Sequence, residues 1–451
     1  MPENLTFLDL CKLMGVEEIG RTGIIAVDNF RIFTNFTFLA AGALVVLISF
    51  DYVEREAIRD GEFYALLLFA IVGMMLLAGS RDLIVIFLSF ELMSLAVYAL
   101  VGFNRGSPRS AEAALKYFLL GAFSSAFLLY GMAMLIGASS TTNLGLLREL
   151  LDPRRVSVVA IMGIALLAIG FGFKVSAVPF HVWTPDAYEG APTPITAFLA
   201  AAIKGAAFAA FIRIFVVALG PLHGYWEEII WWLACLTMIV PNLIALVQEN
   251  IKRLLAYSSI AHAGYLLVAL ISANESGMAA FLFYLVAYTV MIVGAFAVVL
   301  VIAGKNDRRQ KISDYAGLGY SHPWAGAFLS LFLVSLAGLP PTAGFVGKFY
   351  ILRASVESGY VGLAVILAVT TLVSYYYYLR VIVTMYMRPE LEPIGRLHWG
   401  IPLRAALVVC ATLTLLLGIL PSWPLLKARQ SVEGLRPVAE LTIDPEQLAG
   451  R

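Results

Sequence analysis

Charge is what this chain has least of. Of 451 residues only 14% are Asp, Glu, Lys or Arg, while 61% are hydrophobic; a soluble globular protein carries roughly 25% charged residues. Cysteine is scarcer still. Cys11, Cys235 and Cys410 stand far apart, two of them inside apolar runs, with no CxxC and no Cys/His pair. That pattern argues against a zinc site, an iron–sulfur cluster or a disulfide framework, and no metal is expected here. No Gly-rich phosphate loop or dinucleotide fingerprint occurs, so nucleotide chemistry is not expected of this chain. A net charge of +1 offers nothing in favour of nucleic acid. The opening MPENLTFLDLCKLMGVEEIG is acidic and lacks a long apolar core, so it does not read as a signal peptide.

What the chain has instead is apolar length. Runs of about 20 residues, enough to cross roughly 30 Å of hydrocarbon, recur from Phe30 to near Leu426. The mean hydropathy is +0.86. About twelve spans follow, near 30–50, 62–79, 83–103, 112–136, 156–188, 193–218, 226–247, 251–272, 277–303, 324–353, 360–387 and 401–426. The connections leave no room for an extramembrane domain. The fold class is an all-α polytopic membrane protein, one membrane domain over 1–451.

Orientation follows from the short loops. Those after the first, third, seventh, ninth and eleventh spans carry Arg55, Arg59, Arg105, Arg109, Lys252, Arg253, Lys305, Arg308, Arg309, Lys311, Arg388 and Arg396. The opposite face carries Arg81, Arg148, Arg154, Arg155 and Arg353. The positive-inside rule puts the first set in the cytoplasm and both termini outside. Lys427, Arg429 and Arg436 in the C-terminal tail oppose that assignment.

Two spans are interrupted by proline, which removes a backbone donor and clashes with the preceding turn. The fifth breaks at Val178-Pro179 and again at Thr184-Pro185; the tenth breaks at Gly338-Leu339-Pro340-Pro341. Within lipid, freed backbone groups survive only where protein or a wet cavity satisfies them. Spans two to six (62–218) and seven to eleven (226–387) form two sets of five, flanked by 1–61 and 388–451, and each broken helix is fourth in its set. Five is odd, so the second set runs inverted. Broken helices at matching places in inverted halves point to a transport site.

Ionisable residues lie at mid-depth in these spans. Glu91 sits in LIVIFLSFELMSLAVYAL, Lys174 precedes the first break, Lys204 is centred in AFLAAAIKGAAFAAF and Lys348 follows the second break. A charge at helix centre costs about 2.5–3.5 kcal/mol on insertion scales, so such groups are rarely idle. A structural ion pair of Glu91 with one lysine is the simpler reading, yet one pair does not absorb three lysines. A row of buried amines can exchange protons, as a relay requires. His262 lies at similar depth in the eighth span, as a relay member or a hydrogen-bonded core histidine. His181, at the first break, is a relay member or a cap for freed carbonyls. Glu112 and Lys116 read equally as an ordinary i,i+4 pair. Lys252-Arg253 reads first as a snorkelling, positive-inside anchor. The run Tyr375 to Tyr378 is assigned no chemistry.

These same stretches carry a resemblance. GFKVSAVPFHVWTPDAYEGAPTP with AFLAAAIK, SFELMSLAVYALVGFNR, SAEAALKYFLLGAFSSAFLLYG, NIKRLLAYSSIAHAGYLLVAL and SLAGLPPTAGFVGKFYILRA together resemble the N-chain family of NADH–quinone oxidoreductase, respiratory complex I. The resemblance runs from about Val27 to the last span. The PFH…PDA frame is shared with multisubunit cation/proton antiporters; WTPDAYEGAP and Lys348 look specific to the N chain. It implies an antiporter-like proton-translocating subunit in a bacterial inner membrane, where the side assigned to both termini by the loop charges is the periplasm. Glu91, Lys174, Lys204 and Lys348 would be the main relay, and Glu112, Lys116, Lys252 and His262 secondary or linking members. It also implies partner subunits that bind NAD, FMN, iron–sulfur clusters and quinone, with no redox chemistry in this chain. Bacterial N chains usually begin with two further helices, which Met1 to Gly23 does not supply; either they are lost here or the start is assigned late. Two other readings stand beside this one: a subunit of a sodium/proton antiporter, and a purely structural arm subunit.

Overall fold

The computed structural model describes residues 23–58, 60–390, 392–433 and 435, so the expectations placed on Met1 to Gly23 and on Cys11 fall almost wholly outside the described residues. The helices carrying the argument are α1 Asn29–Arg55, α2 Asp60–Gly79, α3 Leu83–Val101, α4 Pro108–Ser139, α5 Leu144–Leu150, α6 Val158–Lys174 and α7 Thr184–Gly190. They continue as α8 Thr193–Ala218, α9 His223–Ala245, α10 Ile251–Ser272, α11 Glu275–Ala303, α12 Pro323–Ala337 and α13 Ala343–Glu357. The last are α14 Val361–Met387, α15 Ile401–Ile419 and α16 Ser422–Val432. Among the described residues ten helices are long and apolar enough to cross a membrane; α6 and α12 are the shorter apolar halves of two interrupted spans. The polytopic all-helical fold is therefore as expected. Several boundaries shift, two of them with a clear local cause. The fourth span runs to 32 residues because Ser107 caps it and Pro108 starts it. The last expected span ends at Ile419, and Pro421 opens a separate, less apolar helix.

Side-chain caps set the helix starts, each accepting from amides that the first turn leaves unbonded. Asp28 caps α1, Asp82 caps α3, Ser157 caps α6, Asn250 caps α10 and Asn274 caps α11. The three helices α8, α10 and α11 are apolar on all sides, and nearly all of their span-forming windows are buried. Their neighbours α1, α4, α14 and α15 leave half or more of theirs short of full burial. Close approach depends on small residues. A Cβ on Gly131 of α4 would lie 2.9 Å from the Gly163 carbonyl of α6, and one on Gly163 would lie 3.0 Å from the Gly131 carbonyl.

Both proline breaks are satisfied by protein groups. After α6 the chain passes through Ser176 at φ +64° and a cis Val178-Pro179 bond. There the Val178 amide donates to Thr237 Oγ1 at 2.9 Å, and Trp183 Nε1 donates to the Phe173 carbonyl at 3.0 Å. After α12, Gly338 turns at φ +90°, and the amides of Gly338 and Leu339 donate back to Ser335 and Val334. Gly is required twice over at 338, since a Cβ would also lie 3.0 Å from Lys348 Cδ.

One charge pair ties the first span to the centre. Arg213, 3% exposed on α8, donates from both terminal nitrogens to Asp28 at 2.9 Å each, and its Nε bonds the Ala78 carbonyl. The sequence reading passed over this pair, which joins residues 185 apart. Burial works against the Asp28 carboxylate, but Arg213 and the Arg31 amide hold it below the usual carboxylate range. Its stabilising contribution is therefore complete above an unfolded value of about 3.9. It is lost as pH falls through the lower folded value. Thermal melts of the wild type and Asp28→Asn are expected to differ most at neutral pH, with the gap closing below about pH 4.

Candidate functional site

Lys174, Lys204, Lys348 and His262 are all buried within the bundle. Lys174, the last residue of α6, is 1% exposed. Its ammonium donates to Ser94 Oγ at 2.7 Å and lies 4.6 Å from the Phe90 ring centre and 5.2 Å from that of Tyr98. Glu91, one turn before Ser94 on α3, is half-buried and accepts from Ser125 Oγ of α4 at 2.6 Å. Glu91 and Lys174 form no direct ion pair; each is held by a hydroxyl.

Lys204 is 3% exposed on α8, at the junction between a π-helical stretch Leu199–Ile203 and the α-helical stretch that follows. Such π-helical turns re-aim side chains and are frequent at functional sites. The ammonium donates to Ser259 Oγ of α10 at 2.7 Å, and that hydroxyl pairs with Tyr188 OH of α7 at 3.3 Å. One turn along α10, His262 is 2% exposed. Its Nδ1 meets Tyr284 OH at 2.5 Å and its Nε2 meets Tyr378 OH at 3.2 Å; Tyr378 in turn bonds Ser258. Lys348 of α13 is 5% exposed and donates to the carbonyls of Leu336 and Ala337 at 2.9 Å each, closing the C-terminal end of α12. A cation is favoured there because freed carbonyls concentrate negative charge at a helix end. The Tyr265 ring lies 5.0 Å away.

Among the described residues none of these three lysines has a carboxylate partner; hydroxyls, carbonyls and ring faces satisfy them. Nor do any three His, Cys, Asp or Glu side chains converge there as a metal site.

Other expectations change. Lys252 is not a snorkelling anchor. It is 0% exposed, with Nζ donating to the Ala191 carbonyl at 2.8 Å and to Asp307 Oδ2 at 3.3 Å, where Thr193 Oγ1 also donates. Burial at a helix start is decided by which side faces the bundle, and the chain order does not say. The tyrosine run is not mere packing either, since Tyr378 reaches His262 and Tyr377 OH donates to Asn242. At the first break, His181 Nδ1 makes no hydrogen bond of good geometry among the described residues. Glu112 and Lys116 do form the i,i+4 pair at 2.8 Å, but Lys116 also bonds Asp186 at 2.8 Å. Arg253 then clamps Asp186 and Glu189, so a surface network joins α4, α7 and α10. The only hint of it in the sequence was acidic residues in the half-helix after the first break.

A buried row of amines across two broken helices defines an antiporter-like membrane subunit. Comparison with known proteins gives the family. The model described as NADH:quinone oxidoreductase/Mrp antiporter, TM, matches residues 80–374. The NADH-quinone oxidoreductase subunit N of Trichlorobacter lovleyi is 48% identical over 411 residues, covering 91% of this chain and 84% of its own. Subunit N 1 of Sorangium cellulosum is 48% identical over 413 residues, covering 88% and 81%. A chain of respiratory complex I from Thermus thermophilus with bound aureothin superposes with a TM-score of 0.77 at 37% identity, over 94% of this chain and 93% of that one. A chain of the Mrp complex from Dietzia sp. shares the fold, with a TM-score of 0.82 at 19% identity over 94% and 90%. The chain belongs to the NADH-quinone oxidoreductase subunit N family.

Removing Asp307 leaves Lys252 fully buried and without its carboxylate, and breaking a buried pair from one side costs about 3–5 kcal/mol. Asp307→Asn is expected to lower the thermal stability of the purified protein clearly. Lys252→Met with Asp307→Leu together should recover much of that loss in the same melt.

Proposed function

We propose that this chain is a proton-translocating subunit of the membrane arm of NADH–quinone oxidoreductase. Protons pass along Glu91, Lys174, Lys204, His262 and Lys348. One observation carries the reading: three mid-span lysines, each at most 5% exposed, are bound only by neutral groups. An ammonium out of water and without a counter-charge is costly. A stability role would be served as well by methionine. A site that must both hold and release a proton needs the amine itself.

The residues divide the work by their neighbours. Glu91 supplies the negative charge that draws a proton toward Lys174, and Ser94 and Ser125 orient the two groups. Ser259 holds Lys204 within one helical turn of His262, whose two ring nitrogens address different tyrosines. Like charges on Lys204, His262 and Lys348 repel across a low-dielectric interior, so the row favours one occupied member at a time. Lys348 ends the row against the half-helix α12. Residues 62–218 and 226–387 act as two inverted halves with Lys204 and His262 at their junction, and both termini lie on the periplasmic side. Glu112, Lys116, Lys252 and His181 play secondary parts. NADH oxidation and quinone reduction, with NAD, FMN and iron–sulfur clusters, belong to partner subunits and drive the charge movement here.

The test is made in the assembled complex. Lys204→Ala is expected to abolish or sharply reduce proton pumping while the complex still assembles; wild-type coupled pumping in that variant refutes the proposal. Tyr378→Phe removes the hydroxyl between His262 and Ser258 without changing shape. It should slow pumping severalfold, measured by proton release from reconstituted vesicles at fixed NADH turnover.

A further inference from the structure

Away from the buried row, a cavity of about 560 Å³ opens between the first turns of α12 and α15. It lies on the face that carries the basic loops 304–322 and 388–400. Trp324, Trp399, His322 and Arg404 line it, and Phe328 and Leu407 line it about one turn further along their helices. Its lining includes no carboxylate. Arg404 is exposed, and its Nε donates to the Trp399 carbonyl at 2.8 Å. That bond orients the guanidinium and leaves both terminal nitrogens without a partner among the described residues. His322 uses Nδ1 toward Ser321 Oγ at 3.3 Å and keeps Nε2 free. Trp324 is 76% exposed. The α15 helix start is already occupied, since the Gly400 amide donates to Asp51 at 2.8 Å. The site therefore rests on the arginine and not on a helix end.

Each feature matches one part of a lipid. A guanidinium fork takes a phosphate with two parallel bonds. Tryptophan belongs at headgroup level, with its ring in the apolar zone and its N–H toward water. Basic pockets between helices on the cytoplasmic side suit anionic headgroups. Apolar walls continuing one turn deeper suit acyl chains, and a lining whose one formal charge is the Arg404 guanidinium, with no carboxylate, favours a phosphate over a protein partner of mixed charge.

We infer that this cavity binds an anionic phospholipid, with its phosphate on Arg404 beside His322, its glycerol between Trp324 and Trp399, and an acyl chain along Phe328 and Leu407. The experiment uses the purified complex in detergent with two photoactivatable probes of identical acyl chains, a phosphatidylglycerol and a phosphatidylcholine. Labelled peptides are mapped by mass spectrometry. The phosphatidylglycerol probe should label 321–328 and 399–408 severalfold more than the phosphatidylcholine probe, and Arg404→Gln should bring the two to the same level. Equal labelling by both headgroups overturns the inference, as does labelling unaffected by Arg404→Gln. So does the absence of lipid labelling with these peptides cross-linked to another subunit instead.

Discussion

An ammonium group buried without a carboxylate is the condition on which the interior of this protein is built. Lys174, Lys204 and Lys348 each meet it in a different way: a serine hydroxyl with aromatic faces, a serine shared with a tyrosine, and two carbonyls at a broken helix end. None of these partners neutralises the charge. Each lowers the cost of holding it without committing the site to it, which is the balance the proposed relay requires. A tight ion pair would have been easier to bury and harder to discharge.

The scaffold follows from that need. The helices α8 and α10, which bring Lys204 and His262 together, lie at the centre, shielded on all sides. The broken spans supply what a continuous helix lacks, namely backbone carbonyls free to receive a cation. Lys348 uses them directly, while Trp183 covers the carbonyl of Phe173 at the equivalent end of α6. The charged pairs that do neutralise one another are placed elsewhere. Arg213 with Asp28 secures the first span, Lys252 with Asp307 secures the start of α10, and Lys116, Asp186 and Arg253 join helices near the surface.

The breaks and the intramembrane charges were legible in the sequence and facing was not. A rise of about 1.5 Å per residue places Lys204 and His262 near mid-membrane by counting alone. Proline at 179 and 340–341 marks the breaks with the same economy. On helices apolar all round, however, no stripe says which side meets a neighbour, so the burial of Lys252 and the reach of Tyr378 were hidden. Arg213 was overlooked because its partner lies 185 residues away, before the first span. No motif singles out Asp186, which α7 packs against α4 and α10. Motifs located the charges; only packing showed which are paired and which are left with neutral partners.

The most direct measurement is the position of ordered water in the assembled membrane arm, at a resolution that separates single molecules. A proton path through this row requires water linking Lys174, Lys204, His262 and Lys348 in hydrogen-bond steps in at least one state of turnover. A dry, side-chain-filled gap between Lys204 and Lys348 in every state would contradict it.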